Sequence, residues 1–425
     1  MGPSLVFVSR TLETRALFVL TALNVLLYVD RYLIAALGSL VKGELGLSDQ
    51  AFGLLGTAFF LVYFLTSPLF GYLGDRFGFI RLMAVGAVLW SLATSLTYWV
   101  VSYPAMLVAR SLVGVGEASF GTLAPAYMAD LLPLNRRSRA LGIFYLAIPV
   151  GSALAYLVGG LVGGKWGWRP AFLLAGFPGM LLALLVLRLP SMELGKIARP
   201  AGESQTHPLP RGHLASLWDG ARALWRLPTF RLVTLGYGMV TFTLGGLAFW
   251  MPRYLEAAKG LDMAQANYLL FGTVTVAGGL GTLAGGFLGD RLLKYTLKGP
   301  LLVSGVGVAL SLPLAALAIF ARNPLLYVPG LVGAIFLLFL NPGVLTAVVV
   351  SVAGPQRRAQ AVALNIVVIH LIGDVPSPFL IGWLADIWNL QWGVSLTLVA
   401  LLGGAVLILA AMPYLSRDLA AAGEL

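Results

Sequence analysis

Twelve apolar runs, each long enough to cross a bilayer, leave this chain few folds to choose from. They lie near residues 15–38, 50–74, 80–102, 105–131, 138–163, 170–189, 229–254, 265–289, 299–321, 325–352, 357–385 and 393–415. Hydrocarbon offers no partner to backbone N–H and C=O groups, so runs of this length read as membrane-spanning helices. Composition agrees: 59% of the 425 residues are hydrophobic and 11% are charged, where a soluble chain carries about a quarter charged. The expected fold class is an all-α integral membrane protein with twelve transmembrane helices.

The connections are short except for one, between the sixth and seventh runs. The expected domains are a six-helix bundle at 1–190, a linker at 191–228 and a second six-helix bundle at 229–425. Within the linker, residues 191–212 are rich in Pro, Gly and polar side chains. Residues 213–227 place Leu214, Leu217, Trp218, Ala221, Leu224 and Trp225 at helical spacing opposite Asp219, Arg222 and Arg226. That pattern suits a helix lying flat at the membrane interface, and equally a linker helix packed on a bundle.

Orientation follows from the 28 Lys and Arg residues: twenty fall in one alternate set of connections, which includes both ends and the linker, and six in the other. By the positive-inside rule the richer set is cytoplasmic, so both termini are expected there, which demands an even number of spans. The remaining two, Arg31 and Arg110, lie inside apolar runs.

Several classes of function drop out. No cysteine and only three histidines are present, which argues against a thiolate metal site and a metalloenzyme; neither metal nor cofactor is expected. No nucleophile–base arrangement suggests an enzyme, and nothing points to nucleic acid. No ATP-binding motif is visible, so work across the membrane would draw on a gradient. The N-terminal stretch does not resemble a cleaved signal. Short loops and the lack of cysteine suggest a bacterial inner membrane.

Charges inside the apolar runs carry the functional information, since each costs roughly 3 kcal/mol at mid-bilayer unless it faces a partner or a wet cavity. In RSLVGVGEASFG, Arg110 and Glu117 stand two helical turns apart on nearly one face, with Gly114 and Gly116 between them small enough for close helix approach. Asp30 and Arg31, in NVLLYVDRYLIAALG, lie past the middle of the first run. Arg31 and Arg110 are suited to an anionic group, and Asp30 and Glu117 are candidate proton carriers, because a carboxylate whose neighbouring cation moves away takes up a proton. Tyr28 joins Arg31 as a substrate-binding candidate. The plainer alternative is a set of structural ion pairs between the first and fourth spans.

The eleventh run holds HLIGDVPSPFLIG. His370 brings an imidazole, the side-chain type that switches charge near neutrality, Asp374 sits one turn on, and Pro376 and Pro378 interrupt the helix; both polar residues are candidates to line a substrate path. Pro149 and its neighbouring glycines suggest a bend in the fifth helix. Phe249, beside Trp250 in the seventh run, is a candidate to line an apolar opening, although aromatics near a membrane end are more often interfacial anchors.

An internal repeat completes the pattern. Gly71-Tyr-Leu-Gly74-Asp75-Arg76 ends the second run and Gly286-Phe-Leu-Gly-Asp290-Arg291 the eighth, with a weaker echo, Gly382-Trp-Leu-Ala-Asp386, ending the eleventh. Two six-helix halves with nested inverted repeats are the architecture of alternating-access carriers. Gly71, Gly74, Asp75, Arg76, Arg81, Arg139, Asp290 and Arg291 are the expected gating residues. The stretch Gly71–Arg81, GYLGDRFGFIR, resembles the helix 2–3 signature of the major facilitator superfamily.

Five runs, NVLLYVDRYLIAALG, GYLGDRFGFIRLM, RSLVGVGEASFGTLAPAYMADLLPLNRRSRALGIFYLAIPVGS, LAFWMPRYL and HLIGDVPSPFLIG, are together similar to the Spinster family within that superfamily. The resemblance implies a lipid carrier for lysophospholipids or sphingosine 1-phosphate, with proton coupling in some members. Carried onto matching positions, it implies Asp30 and Glu117 as protonatable acids, Arg31 and Arg110 as neighbours of an anionic head, and His370 as cavity-lining. The helix 2–3 loop departs from the family pattern by lacking a second basic residue, and the tenth helix matches less well. The resulting expectation is a monomeric, proton-coupled secondary transporter whose partners are an amphipathic lipid substrate, protons and membrane lipids. A proton-driven exporter of drugs or small organic ions is the alternative, with a channel or receptor behind it.

Overall fold

A computed structural model describes residues 10–132, 134–190, 213–354 and 357–423. Every regular element among them is helical. Of the described residues, those in Met1–Leu45 and Ala58–Pro210 form one compact unit and those in Gly46–Thr57 and Arg211–Leu425 the other.

The first unit is built from α1 (Arg10–Ala36), α2 (Gly38–Leu45), most of α3 (Asp49–Phe77), α4 (Phe79–Leu96), α5 (Tyr103–Leu131), α6 (Leu134–Tyr145), α7 (Ala147–Val158), α8 (Gly164–Trp166) and α9 (Trp168–Val186). The glycines of α5 set its packing. A methyl group on Gly116 would lie 2.6 Å from the Gly86 carbonyl of α4, and one on Gly114 would lie 2.6 Å from the Phe59 carbonyl of α3. Backbone-to-backbone contact of this kind is available only to glycine. It draws α3, α4 and α5 together around a core of Phe59, Trp90, Phe120, Tyr127 and Phe144.

The second unit takes α10 (His213–Arg226), α11 (Pro228–Lys259), α12 (Met263–Thr273), α13 (Gly279–Leu293), α14 (Gly299–Phe320), α15 (Pro324–Phe339), α16 (Asn341–Ala353), α17 (Arg358–Ile372), α18 (Ser377–Ile387), α19 (Leu390–Ala410) and α20 (Met412–Ala421). The amphipathic linker helix α10 is packed along one edge. Leu224 is fully buried and Trp225 stacks edge-on against Phe230, whereas Trp218 is 71% exposed and Arg222 and Arg226 face outward. Asp418 of α20 accepts the Thr229 N–H at 2.9 Å and caps the start of α11.

Among the described residues, eleven stretches are long and apolar enough to cross a membrane. The twelfth is α5, whose 29 residues reach about 43 Å; Arg110 and Glu117 lower its hydropathy without shortening it. These twelve transmembrane helices match the expected count. Leucines and phenylalanines such as Leu65, Leu283 and Phe287, each more than 60% exposed, give the spans their apolar outer faces.

Several spans are interrupted, each for a local reason. The fifth breaks at Leu146, where Pro149 cannot donate to the Tyr145 carbonyl, and then loosens into a π turn at Gly159–Gly163. The eighth carries a π turn at Val274–Gly278. The tenth breaks at Leu340, just before Pro342, which has no N–H for the Leu338 carbonyl, and Asn341 Nδ2 donates to the Leu337 and Leu338 carbonyls at 3.0 and 2.9 Å. The eleventh opens over Gly373–Pro376, between α17 and α18.

The start of α3 is fixed with unusual care. Its Asp49 and Gln50 N–H groups donate to the two carboxylate oxygens of Asp386 at 2.8 and 2.7 Å, so a full negative charge meets the helix N-terminus. Asp49 also pairs with Arg253 of α11. Further along, Thr57 Oγ1 donates to the Val375 carbonyl at 2.6 Å. Phe52 packs on Phe249 and Trp250, and Trp250 Nε1 donates to the Pro378 carbonyl at 3.0 Å.

Candidate functional site

Four charged side chains from two helices of the first unit converge. Arg31 of α1 donates through Nε and Nη2 to a single oxygen, Oε2 of Glu117 on α5, at 3.1 and 2.9 Å. Arg110, two turns earlier on α5, points back to α1 and donates to the carbonyls of Asp30 and Arg31, both at 3.4 Å. Asp30 accepts a hydrogen bond at Oδ2 from Thr94 Oγ1 of α4, at 3.2 Å. All are deeply placed: Asp30 is 1%, Arg110 3% and Glu117 0% exposed, and the Arg31 side chain 11%.

The pairing differs from what spacing along α5 suggests. Arg110 and Glu117 share a face, yet the direct ion pair runs across helices, from Arg31 to Glu117. The reason is geometric. Two turns separate Arg110 from Glu117 along the axis, whereas the glycines between them let neighbouring helices come close.

Aromatic rings enclose the arginines. The Arg31 guanidinium lies 4.8 Å from the Tyr28 ring centroid, 5.2 Å from Phe59, 5.9 Å from Phe60 and 5.1 Å from Tyr63. That of Arg110 lies 4.9 Å from Phe59. Tyr28 also stacks on Tyr32, with centroids 6.5 Å apart. The ring faces attract both cations while excluding water from the Arg31–Glu117 pair.

Three buried polar atoms of this cluster have no hydrogen-bond partner: Asp30 Oδ1, Glu117 Oε1 and Arg110 Nε. Buried polar groups are ordinarily satisfied, and exceptions mark strain or function. Two open carboxylate oxygens and one open guanidinium N–H can accept a proton and donate to an anion. No cluster of potential metal ligands occurs among the described residues.

In the second unit, His370 Nδ1 lies 2.5 Å from Asp374 Oδ2, with the side chains 38% and 12% exposed. The break after α17 makes this contact. Val375 N–H reaches back to the His370 carbonyl at 3.0 Å, folding Asp374 under the imidazole. Phe249 is 5% exposed and packs on Phe52, with ring centroids 5.0 Å apart.

The expected gating residues are placed as follows. Gly74 lets Leu123 and Phe79 close over α3, and Gly71 has Thr122 nearby. Arg76 lies 5.6 Å from the Phe77 ring and Arg291 6.0 Å from Phe287; Arg81 and Asp290 are exposed. The side chains of Asp75 and Arg139 lie outside the described residues. Sequence reasoning missed Thr94, Phe59, Phe60 and Tyr63. The signal for the rings was available, since residues 59, 60 and 63 share one side of α3 at helical spacing. It also noted Asp386 only as an echo, without its capping role.

Comparison with known proteins places this geometry in a family. Residues 20–373 match the Major Facilitator Superfamily model. Protein spinster homolog 1 of Mus musculus is 35% identical over 410 residues, covering 91% of this chain and 76% of its own. The Homo sapiens protein of that name is 35% identical over 402 residues, covering 89% and 74%. Among solved structures, the fold matches a bacterial homolog to the human lysosomal transporter Spinster in its inward-facing and unoccupied conformation. The TM-score there is 0.82 at 22% identity, over 97% of this chain and 99% of that one. A D-xylose-proton symporter matches with a TM-score of 0.71 at 18% identity, over 94% and 97%. The chain thus belongs to the major facilitator superfamily and, within it, to the Spinster family of membrane transporters.

Proposed function

We propose that this transporter moves an amphipathic lysophospholipid or a sphingosine 1-phosphate-like lipid by proton-coupled alternating access. The observation that carries the reading is the Arg31–Glu117 pair, buried beside the open carboxylate oxygens of Asp30 and Glu117. Protonation of Glu117 removes the charge that holds Arg31, and protonation of Asp30 removes a negative charge beside Arg110. Either event leaves the cluster with excess positive charge, which an anionic headgroup neutralises. Tyr28 and Arg31 flank the headgroup position, and His370, Asp374 and Phe249 are further substrate-binding residues.

Gly71, Gly74, Asp75, Arg76, Arg81, Arg139, Asp290 and Arg291 act as gating residues, and the protein works as a monomer in a bacterial inner membrane with both termini cytoplasmic. Its six-helix bundles occupy 1–190 and 229–425, joined through 191–228.

The test is lysolipid-dependent proton flux in liposomes under an imposed pH gradient, comparing wild type with Asp30→Asn and Glu117→Gln. At least one variant is expected to lose gradient-driven accumulation by about tenfold or more, the scale of one charge-assisted contact. Full accumulation in both would end the coupling assignment. Failure of lysolipids to compete for transport would favour a drug or organic-ion substrate instead.

A further inference from the structure

The two arginines are held very differently, and one ring lies between them. Arg31 makes two charge-assisted bonds to Glu117 and faces four rings. Arg110 makes two long contacts to carbonyls, has an open Nε and lies over one ring, that of Phe59. Phe59 itself is fully buried, with centroids 5.2 and 4.9 Å from the two guanidinium carbons. Its backbone is fixed by the contact of α3 with Gly114, so the ring has little freedom to follow either arginine.

We infer that Phe59 is a positioning residue that parks Arg110 against the carbonyls of α1, and that Arg110 rather than Arg31 is the cation that moves to the anionic headgroup. This rests on the reading of the cluster as an anion site. An arginine on carbonyls and a ring gives up little when a phosphate arrives, whereas releasing Arg31 would strand Glu117. Contacts that Arg110 gives up on reaching a phosphate oppose binding, so the ring sets how readily Arg110 is released. The other charged or titratable groups facing the cluster are Asp30, Arg31, Tyr28 and Tyr32 on α1, Tyr63 on α3, Glu117 on α5 and Tyr145 on α6.

The experiment is equilibrium binding of monododecyl phosphate to the protein in nanodiscs by calorimetry, with monolaurin as an uncharged control. Wild type, F59L, F59M, F59Y, R110Q and F59L/R110Q are compared, all screened for folding by thermal unfolding. F59L and F59M remove the ring but keep an apolar side chain. Either is expected to bind the phosphate about twofold to thirtyfold more tightly, the range of a cation–π contact. F59Y should behave as wild type, and the gain should vanish in the R110Q background, a coupling that loss of packing alone does not produce. Unchanged or weaker binding in both ring-less variants, or a gain that survives in F59L/R110Q, would overturn the inference. If R110Q alone binds the phosphate as wild type does, the inference fails while Arg31 can still serve the anion site; if wild type binds the phosphate no better than monolaurin, the anion-site reading fails as well, and these two outcomes separate the failures.

Discussion

At the scale of single residues, the cluster depends on shape as much as charge. Arg31 places two N–H donors on one carboxylate oxygen while its plane meets four rings, and a lysine can do neither together. Arg31→Lys is therefore expected to lower stability by about 1–3 kcal/mol, read as a reduced unfolding midpoint in nanodiscs. Gly116→Ala tests the packing that assembles the site. Its methyl would meet the Gly86 carbonyl at 2.6 Å and the Trp90 N–H at 2.7 Å, and backbone cannot step aside as a side chain does. A loss of about 1–3 kcal/mol follows; an unchanged midpoint would mean that α4 and α5 adjust freely. The four charges were legible in the sequence because apolar runs make them conspicuous. Their partners were not, because pairing across helices depends on how closely glycine lets backbones approach, which spacing along one helix does not encode.

At the scale of elements, capping and breaks decide how the spans are held. Asp386 satisfies two N–H groups at the start of α3, so Asp386→Ala should cost about 0.5–2 kcal/mol, measurable by thermal unfolding. At the end of the first span, Glu44 of α2 pairs with Arg169 and accepts from Trp168 Nε1 at 2.7 Å. Arg169 donates in turn to the Val100 carbonyl at 2.8 Å. The Arg169 hydrogen bond, helped by that from Trp168, holds the Glu44 carboxyl below its usual value of 4.5. A lowered folded value stabilises the protein above the ordinary carboxylate range, and that stability is lost as pH falls through the folded value. Glu44→Gln should then unfold earlier than wild type at pH 7, with the gap closing once the pH drops below 4.5; a gap constant with pH would assign the effect to packing. The breaks at Pro149 and across Gly373–Pro376 were legible from their prolines. The π turns were not, since nothing in the sequences of Gly159–Gly163 and Val274–Gly278 dictates the extra residue in the turn.

At the scale of the molecule, apolar run lengths and the Lys/Arg asymmetry were enough to suggest twelve spans, and the repeated Gly-Asp-Arg ending marked two halves. What they could not mark is the seam. Contacts divide the chain between Thr57 and Ala58, inside the unbroken helix α3, not only at the linker. The nine residues before that point sit on Asp386, Trp250, Pro378 and Val375, side chains and carbonyls from far along the chain. Chimeras between this carrier and a relative consequently have a preferred cut. Exchanging residues 46–57 together with everything after the linker keeps a native seat under a native helix start. A join made in the linker alone would set one parent's α3 on the other parent's Asp386 region, and such hybrids should express poorly even when each parent folds well.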